Sequence, residues 1–463
     1  MDSARTAPTT RPTVVIIGSG FGGLFAARAL AKDDVDVVLI AKTSHHLFQP
    51  LLYQVATGIL SQGEIAPSTR EVLAKQKNAT VVLGEVTAID VTAQTVTASL
   101  VGEQFTQPYD YLIVAAGAAQ SWFGHDEFAE YAPGMKSIDD ALELRGRIFG
   151  AFELAEVAAK EGRHDEVGPL MTFVVVGAGP TGVEMAGQLV ELSNRTLRRD
   201  FRHISPADAK IILADAAPSV LGSFHPKLQD ATKKSLEKLG VDVRLDAMVT
   251  GVDERGITVR RKAADGTTTD ERIEAVTKVW AAGVAASPLA KQLADQVGVQ
   301  VDRAGRIPVQ PDLTLVGHPE IHVVGDMMTL DKLPGVAQVA IQGARHSAKE
   351  IRRHLKGEPT GAKFTYFDKG SMATISRFRA IAEIGSIRLT GFVAWLAWLG
   401  VHLVYIIGFK SRLTSLISWA VSFIGRGRAE RTITEQQVFG RQAIERLAEI
   451  EAAATKRPGT DAA

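Results

Sequence analysis

Twice along this chain an apolar run ends in a glycine fingerprint. The first is Val14-Val15-Ile16-Ile17 followed by Gly18-Ser19-Gly20-Phe21-Gly22-Gly23. The second is Phe173-Val174-Val175-Val176 followed by Gly177-Ala178-Gly179-Pro180-Thr181-Gly182. One such pattern means little in a chain with 42 glycines. Two, each set between a β-like run and a helix-like one, constrain the fold to a repeated strand–turn–helix unit. In each, the first glycine permits a tight turn and the second lets a pyrophosphate approach the backbone. The third allows close helix–strand packing, and the helix N-terminus faces the phosphates. Two such sites imply two dinucleotides, and such a pair usually means that one passes electrons to the other.

At 463 residues the chain is too long for one simple core, and two or three domains are expected. The 52 basic and 52 acidic residues balance, so bulk electrostatics give no reason to expect a nucleic-acid partner. Cysteine is absent, which excludes disulfides, thiolate metal sites, iron–sulfur clusters and cysteine redox catalysis. His45 and His46 are adjacent and do not share a face of a regular element, so no metal site is expected from them. Residues 1–13 are polar, carry Pro8 and Pro12, and lack an apolar signal core; a cytosolic face is expected.

Residues 14–40 read as strand, glycine turn, helix and strand, with a further buried strand ending Val114-Ala115-Ala116-Gly117. The second unit repeats this through strand 211–214 to Val279-Trp280-Ala281-Ala282-Gly283. The run Ile321-His322-Val323-Val324-Gly325-Asp326 then returns to the first unit and ends on an aspartate where a doubly wound sheet binds ligands. The expected fold is therefore α/β, with two nested Rossmann-like dinucleotide-binding domains plus a C-terminal helical, membrane-anchoring region. The boundaries read as 12–145 and 301–360 for the first domain, 146–300 for the second, 361–440 for the third region and 441–463 for a tail.

An acidic residue after the second strand of such a unit reads the ribose hydroxyls. Asp215 has that place in the second unit, displaced by an insertion around 198–209. Its charge accepts from a 2′-hydroxyl and repels a 2′-phosphate, so NADH is expected over NADPH. The first unit has Lys42 there instead, read either as a phosphate or ribose contact or as a surface lysine. Asp326 supports FAD in that unit, bonding its ribityl chain or phosphate.

Several further segments resemble one family. They are 14–23, His45-His46-Leu47-Phe48-Gln49-Pro50-Leu51-Leu52-Tyr53-Gln54, 175–187, Gly325-Asp326, Ala337-Gln338-Val339-Ala340-Ile341-Gln342 and Phe367-Asp368-Lys369-Gly370. Together they resemble the type II (alternative, non-proton-pumping) NADH:quinone oxidoreductases of the mycobacterial kind, from about residue 12 to 440. The resemblance implies a glutathione-reductase-like architecture, non-covalent FAD, and hydride transfer from NADH to FAD, then two electrons to a membrane quinone. It places Glu184 near the nicotinamide and flavin as a positioning or proton-transfer group, with a plain helix N-terminal acid as the alternative. It puts Gln54, Gln338 and Gln342 at the quinone. His46, Val86, Ala116, Gly117, Ala337, Gln338 and Lys369 join the first glycine turn around FAD. Pro180, Thr181, Glu184, Ala282 and Gly283 join the second around NADH. A homodimer is implied as well.

Residues 390–408 are apolar and nearly long enough to span a bilayer, although His402 and three glycines weaken that reading and a buried hairpin would look similar. On a wheel of 411–424, Ser411, Thr414, Ser415, Ser418 and Ser422 fall within an arc of about 100°. The apolar remainder includes Trp419, and Lys410, Arg412, Arg426 and Arg428 flank it. This reads as a helix lying in a membrane interface, its cations near anionic headgroups. Residues of about 390–428 are thus expected on a bilayer surface, and the protein peripheral to the cytoplasmic side of the cell's inner (plasma) membrane. A soluble NADH-dependent flavoprotein reductase of a protein acceptor, or an NADH-sensing flavoprotein without quinone turnover, are the alternatives.

Overall fold

The structure, a computed structural model, describes residues 11–262, 267–425 and 427–434. Residues 1–10 of the polar N-terminal stretch, Arg426 and the tail 441–463 lie outside them. The first nucleotide unit is built on a six-stranded sheet in the order Thr314–Leu315, His318–Val323, Tyr111–Val114, Thr13–Ile17, Asp36–Ala41, Ala79–Leu83. The pairing is parallel except at Thr314–Leu315. Continuous apolar runs suit strands covered on both faces, and Val14, Val15, Ile16, Leu112, Ile113 and Val323 are wholly buried.

The strand His318–Val323 joins this sheet beside Tyr111–Val114, with Ile321 opposite Leu112. The second unit, inserted between them, has four parallel strands in the order Val241–Arg244, Lys210–Ala214, Thr172–Val176, Thr277–Trp280. The nested arrangement read from the sequence is therefore present. Each unit also carries a three-stranded antiparallel sheet. One is Glu85–Asp90, Thr95–Leu100 and Glu103–Pro108; the other is Ala247–Asp253, Gly256–Lys262 and Thr268–Glu274. The expected boundary at 145/146 falls inside one continuous helix, Ile138–Lys160, which starts at a Ser137/Asp140 capping box.

Beyond residue 361 the sequence reading had no sheet, but one is present: Ser371–Ser376, Arg379–Ile384 and Ile387–Thr390. Two helices follow, Gly391–Tyr405 and Phe409–Ile424. The turn between them needs Gly408 at φ +94°. Arg412 caps the first helix by donating to the carbonyls of Val404 (2.8 Å) and Ile406 (2.7 Å). Fifteen residues rise only about 22 Å, short of the ~30 Å apolar core of a bilayer. Among the described residues no helix is long and apolar enough to cross a membrane.

The second helix corrects the wheel in one respect. Its serines face the protein: Ser411, Ser415 and Ser422 are buried, and Trp419 and Phe423 are buried with them. Leu413, Leu416, Ile417, Val421 and Ile424 point outward, 42–80% exposed. Trp419 is thus a core residue, not an interface anchor. Arg428 is corrected too. Rather than flanking the helix toward headgroups, it is buried, donating to the carbonyls of Thr57 and Gln188 and to Gln188 Oε1.

Candidate active site

Both glycine turns are crowded on the strand side and open on the other. Gly18 (φ +98°) donates to the Ile40 carbonyl at 2.8 Å, and a Cβ there would drive into the Ala115 carbonyl. Gly177 (φ +105°) donates to the Ala214 carbonyl at 2.8 Å, and its Cβ would lie 2.7 Å from the Ala282 nitrogen. At the third glycines, Gly23 and Gly182, a Cβ would collide with the carbonyl of the first. Gly20 and Gly179 meet nothing within 4 Å. These two are the N-caps of helices Phe21–Ala29 and Pro180–Glu191, and no side chain caps either end. An uncapped helix N-terminus beside open space at the second glycine, with the helix dipole behind it, fits a pyrophosphate at each turn.

Around the first turn, Ser19 Oγ donates to the His45 carbonyl at 2.9 Å. His46 Nδ1 donates to the Ser19 carbonyl at 2.8 Å. Burial holds the His46 imidazole down at about 4, so it is neutral. Its buried Nε2 is then an acceptor, and no protein group meets it. Phe21 packs edge-on against His46, with centroids 5.2 Å apart. Gly22 is close to Ala115 and Val324, and Gly117 takes φ +69°. Ala116 is half-buried beside it; Lys42 is exposed at the end of its strand; Val86 is half-buried in the small sheet.

Asp326 sits in the short turn Gly325–Met327, in line with strand His318–Val323. Burial raises its carboxyl from the ordinary range, while Lys136 and Arg306 pull it back. Lys136, unforeseen from the sequence, also lines a cleft with Thr181, Gly283 and Gln120. One lysine therefore links the two nucleotide units. Gln120 donates to the carbonyls of Ala282 and, at 2.8 Å, Gly283, fixing the end of the second unit's last strand.

Asp215 follows strand Lys210–Ala214. Its carboxylate accepts from the Ala178 amide inside the glycine turn and from the Ala217 amide at 2.7 Å. The residue is half-buried, and each carboxylate oxygen takes one of these bonds.

Glu184 lies one turn into helix Pro180–Glu191 and is buried. Loss of water pushes its carboxyl up to about 8, against two bonds from Thr374. The Thr374 amide and hydroxyl stand 3.3 and 3.5 Å from Glu184 Oε1. Tyr53 lies 2.9 Å from the Thr374 hydroxyl. Gln54 Nε2 donates to Tyr53 at 3.1 Å, and Trp419 Nε1 donates to Gln54 Oε1 at 2.7 Å. Gln54 was expected at the quinone. Here it is buried, and both ends of its amide are occupied inside the protein.

Ala337 begins helix Ala337–Leu355, whose first turns pack on the first unit. Gln338 lies against the Tyr405 hydroxyl, and its buried Oε1 has no partner. Lys369 Nζ donates to Tyr405 at 3.0 Å. These neighbours, with Arg345, hold the Tyr405 phenol below its ordinary range despite partial burial. Gln342 does not face outward freely: it donates to the Phe367 carbonyl (2.9 Å) and accepts from the Phe367 amide (3.0 Å). It thereby fixes the segment that carries Lys369. Tyr405 ends a helix whose Phe392, Val393, Leu396 and Val404 are exposed. Among the described residues no group of three His, Asp or Glu side chains could hold a metal ion.

The family profile described as "Pyridine nucleotide-disulphide oxidoreductase" matches residues 12–344. The chain is 57% identical over 449 residues to the type II NADH:quinone oxidoreductase Ndh of Mycobacterium tuberculosis, covering 96% of each chain. To NdhA of the same organism, described in the same words, it is 58% identical over 435 residues, covering 93% of this chain and 91% of that one. Among solved structures, the Plasmodium falciparum NDH2 in complex with NADH superposes with a TM-score of 0.81 at 21% identity. That match covers 90% of this chain and 99% of the other, and shows the shared fold.

Proposed function

The chain belongs to the type II NADH:quinone oxidoreductases of the pyridine nucleotide-disulphide oxidoreductase family, and from that premise we propose how its residues divide the work. It oxidises NADH and reduces a quinone to the quinol, without pumping protons. The cofactor is a flavin, read here as non-covalent FAD. When bound, the flavin supplies two-electron storage between a hydride donor and a quinone.

The residues of the first turn fit FAD. The amides from Gly20 onward receive its pyrophosphate; the His46 acceptor nitrogen and Asp326 meet hydroxyls of its ribose and ribityl parts. Lys42, Val86, Ala116, Gly117, Ala337, Gln338 and Lys369 complete the enclosure. At the second turn the amides from Gly179 to Thr181 receive the NADH pyrophosphate, with Pro180 presetting the helix start. Asp215 uses its remaining lone pairs on the ribose hydroxyls, and a 2′-phosphate would meet its charge. Ala282 and Gly283 allow the dinucleotide to lie close to the backbone.

Quinone reduction consumes two protons, and NADH carries only one. Glu184, protonated at neutral pH by its burial, holds the other at its carboxyl. Gln338 offers its free Oε1 and its amide protons to the flavin and quinone. Gln342 acts through Phe367, and Tyr405 with Lys369 stands at the quinone carbonyl. The exposed apolar faces of the last two helices rest on the bilayer, peripheral to the cytoplasmic side of the inner membrane, in a homodimer.

What carries this reading is the meeting of Gln338 and Tyr405. It joins the helix at the flavin to the helix with the outward apolar face. Steady-state turnover tests it. Rapid NADH oxidation with a soluble quinone, little with NADPH, and loss of quinone turnover in Gln338→Leu are expected. Quinone-independent oxidation of equal rate, or full activity in the variant, would overturn it.

A further inference from the structure

The side chains between Trp419 and Glu184 form a chain whose direction is fixed at one end. An indole nitrogen can only donate. Trp419 therefore requires Gln54 Oε1 to face it, at 2.7 Å, and turns Gln54 Nε2 toward Tyr53, at 3.1 Å. Nε2 can only donate, so the Tyr53 oxygen accepts. The Tyr53 proton then has one acceptor left among its partners, the Thr374 hydroxyl at 2.9 Å. Thr374 in turn gives its proton to Glu184 Oε1. All five side chains are buried, and hydrogen bonds aligned in one sense polarise one another in a low dielectric.

We propose that Trp419 is a positioning residue for Glu184: by orienting Gln54, Tyr53 and Thr374 as successive donors, it stabilises the Glu184 carboxylate and sets the pH at which that group gives up its proton. This rests on the reading of Glu184 as the proton-holding group. The helix Phe409–Ile424, whose outer face is apolar, thereby reaches the reaction site without touching it.

Other charged groups do not supply this control. Tyr53 faces Glu184 from the short helix Leu52–Ala56, and burial keeps it protonated. Glu191, on the Glu184 helix, acts on Tyr53 and pairs with Arg195 at 3.5 Å. Strand Ser371–Ser376 brings the Thr374 amide and hydroxyl, with Arg377 beyond it near Glu191. Arg428 is held at Gln188. His402, stacked on Trp398 beside Trp419, is kept neutral by burial.

The test uses the flavin-loaded full chain in detergent. The protonated Glu184 carboxyl is followed by its infrared C=O stretch against pH, beside the pH profile of kcat. Glu184→Gln must abolish the band and the step in kcat; if the step persists, the proton-holding reading fails. Trp419→Phe keeps the ring and removes the donor. Gln54 is then free to turn, and both midpoints are expected to rise by about half a unit to one unit. Tyr53→Phe should do the same, while Thr374→Ser, which keeps the hydroxyl, should leave the original midpoint in place. If Glu184→Gln abolishes the band but Trp419→Phe and Tyr53→Phe leave the midpoint in place, the chain has no such role. Should Trp419→Phe lose its flavin, Tyr53→Phe alone decides.

Discussion

The carbonyl of Ile375 occupies the space where a side chain at Gly187 would begin. Helix Pro180–Glu191 and strand Ser371–Ser376 touch backbone to backbone there, and this brings Thr374 onto Glu184, one turn earlier. Gly187→Ala should therefore separate the two elements. We expect a loss of about 1–3 kcal/mol, read as a lower denaturant midpoint, together with a weaker oxidation of NADH. Unchanged stability would show that the strand yields freely.

Glu184 gives the stability a pH slope. In the folded chain its carboxyl keeps its proton to about 8, whereas its ordinary value is 4.5. Between those values the unfolded chain has released the proton and the folded chain has not. Its contribution is therefore greatest below about 4.5 and falls as pH rises through 8. Glu184→Gln should flatten that slope, by an amount on the order of a few kcal/mol. Guanidinium midpoints at about pH 5.5 and about pH 8.5 check it. A slope equal to that of the parent chain would contradict the burial argument.

At Asp215 the informative change is Asp215→Asn, which keeps an acceptor for the Ala178 amide and removes the charge. The KM for NADH should rise roughly tenfold, and discrimination against NADPH should narrow. Retained discrimination in steady-state comparison of the two donors would remove Asp215 as the ribose reader.

Gln342→Ala leaves the Phe367 backbone without both of its bonds and loosens the segment that carries Lys369. Stopped-flow traces should show slower reoxidation by quinone and nearly unchanged reduction by NADH. The reverse pattern would place Gln342 on the nicotinamide side.

The outward face can be tested without cutting the chain. Truncation before the last helices would also remove Trp419 and Arg428 from the core. Leu413→Asp combined with Ile417→Asp changes one exposed strip only. Membrane recovery should fall while flavin content stays constant; undiminished recovery would refute the bilayer assignment.

The two nucleotide units were legible because their signals are local. A glycine turn, an apolar run and a strand-end aspartate each lie within a few residues of sequence. The ring of residues around Glu184 was not legible, for the opposite reason. Thr374 and Trp419 reach it from 190 and more positions away, and Thr374 belongs to a sheet whose short strands alternate weakly. Gln54 was placed at the quinone by the family resemblance alone. Its neighbours Tyr53 and Trp419 decide its role, and only tertiary packing shows them. Arg428 was misplaced for a related reason: charge near a helix end suggests a headgroup, until two backbone carbonyls are seen enclosing it.

The last helix holds to the protein through Ser418, which donates to Glu64 at 2.7 Å, through Trp419 and through Phe423, and turns its aliphatic residues away. Its two attachments thus depend on different forces. Polar bonds and two aromatic rings fix it to the enzyme, while the transfer of Leu413, Leu416 and Ile417 out of water would fix it to lipid. If this face rests on a bilayer, as proposed, a detergent that extracts the enzyme replaces the second attachment and leaves the first intact. Dilution into plain buffer leaves those side chains with only each other, so the enzyme freed from lipid should gather into clusters through this face.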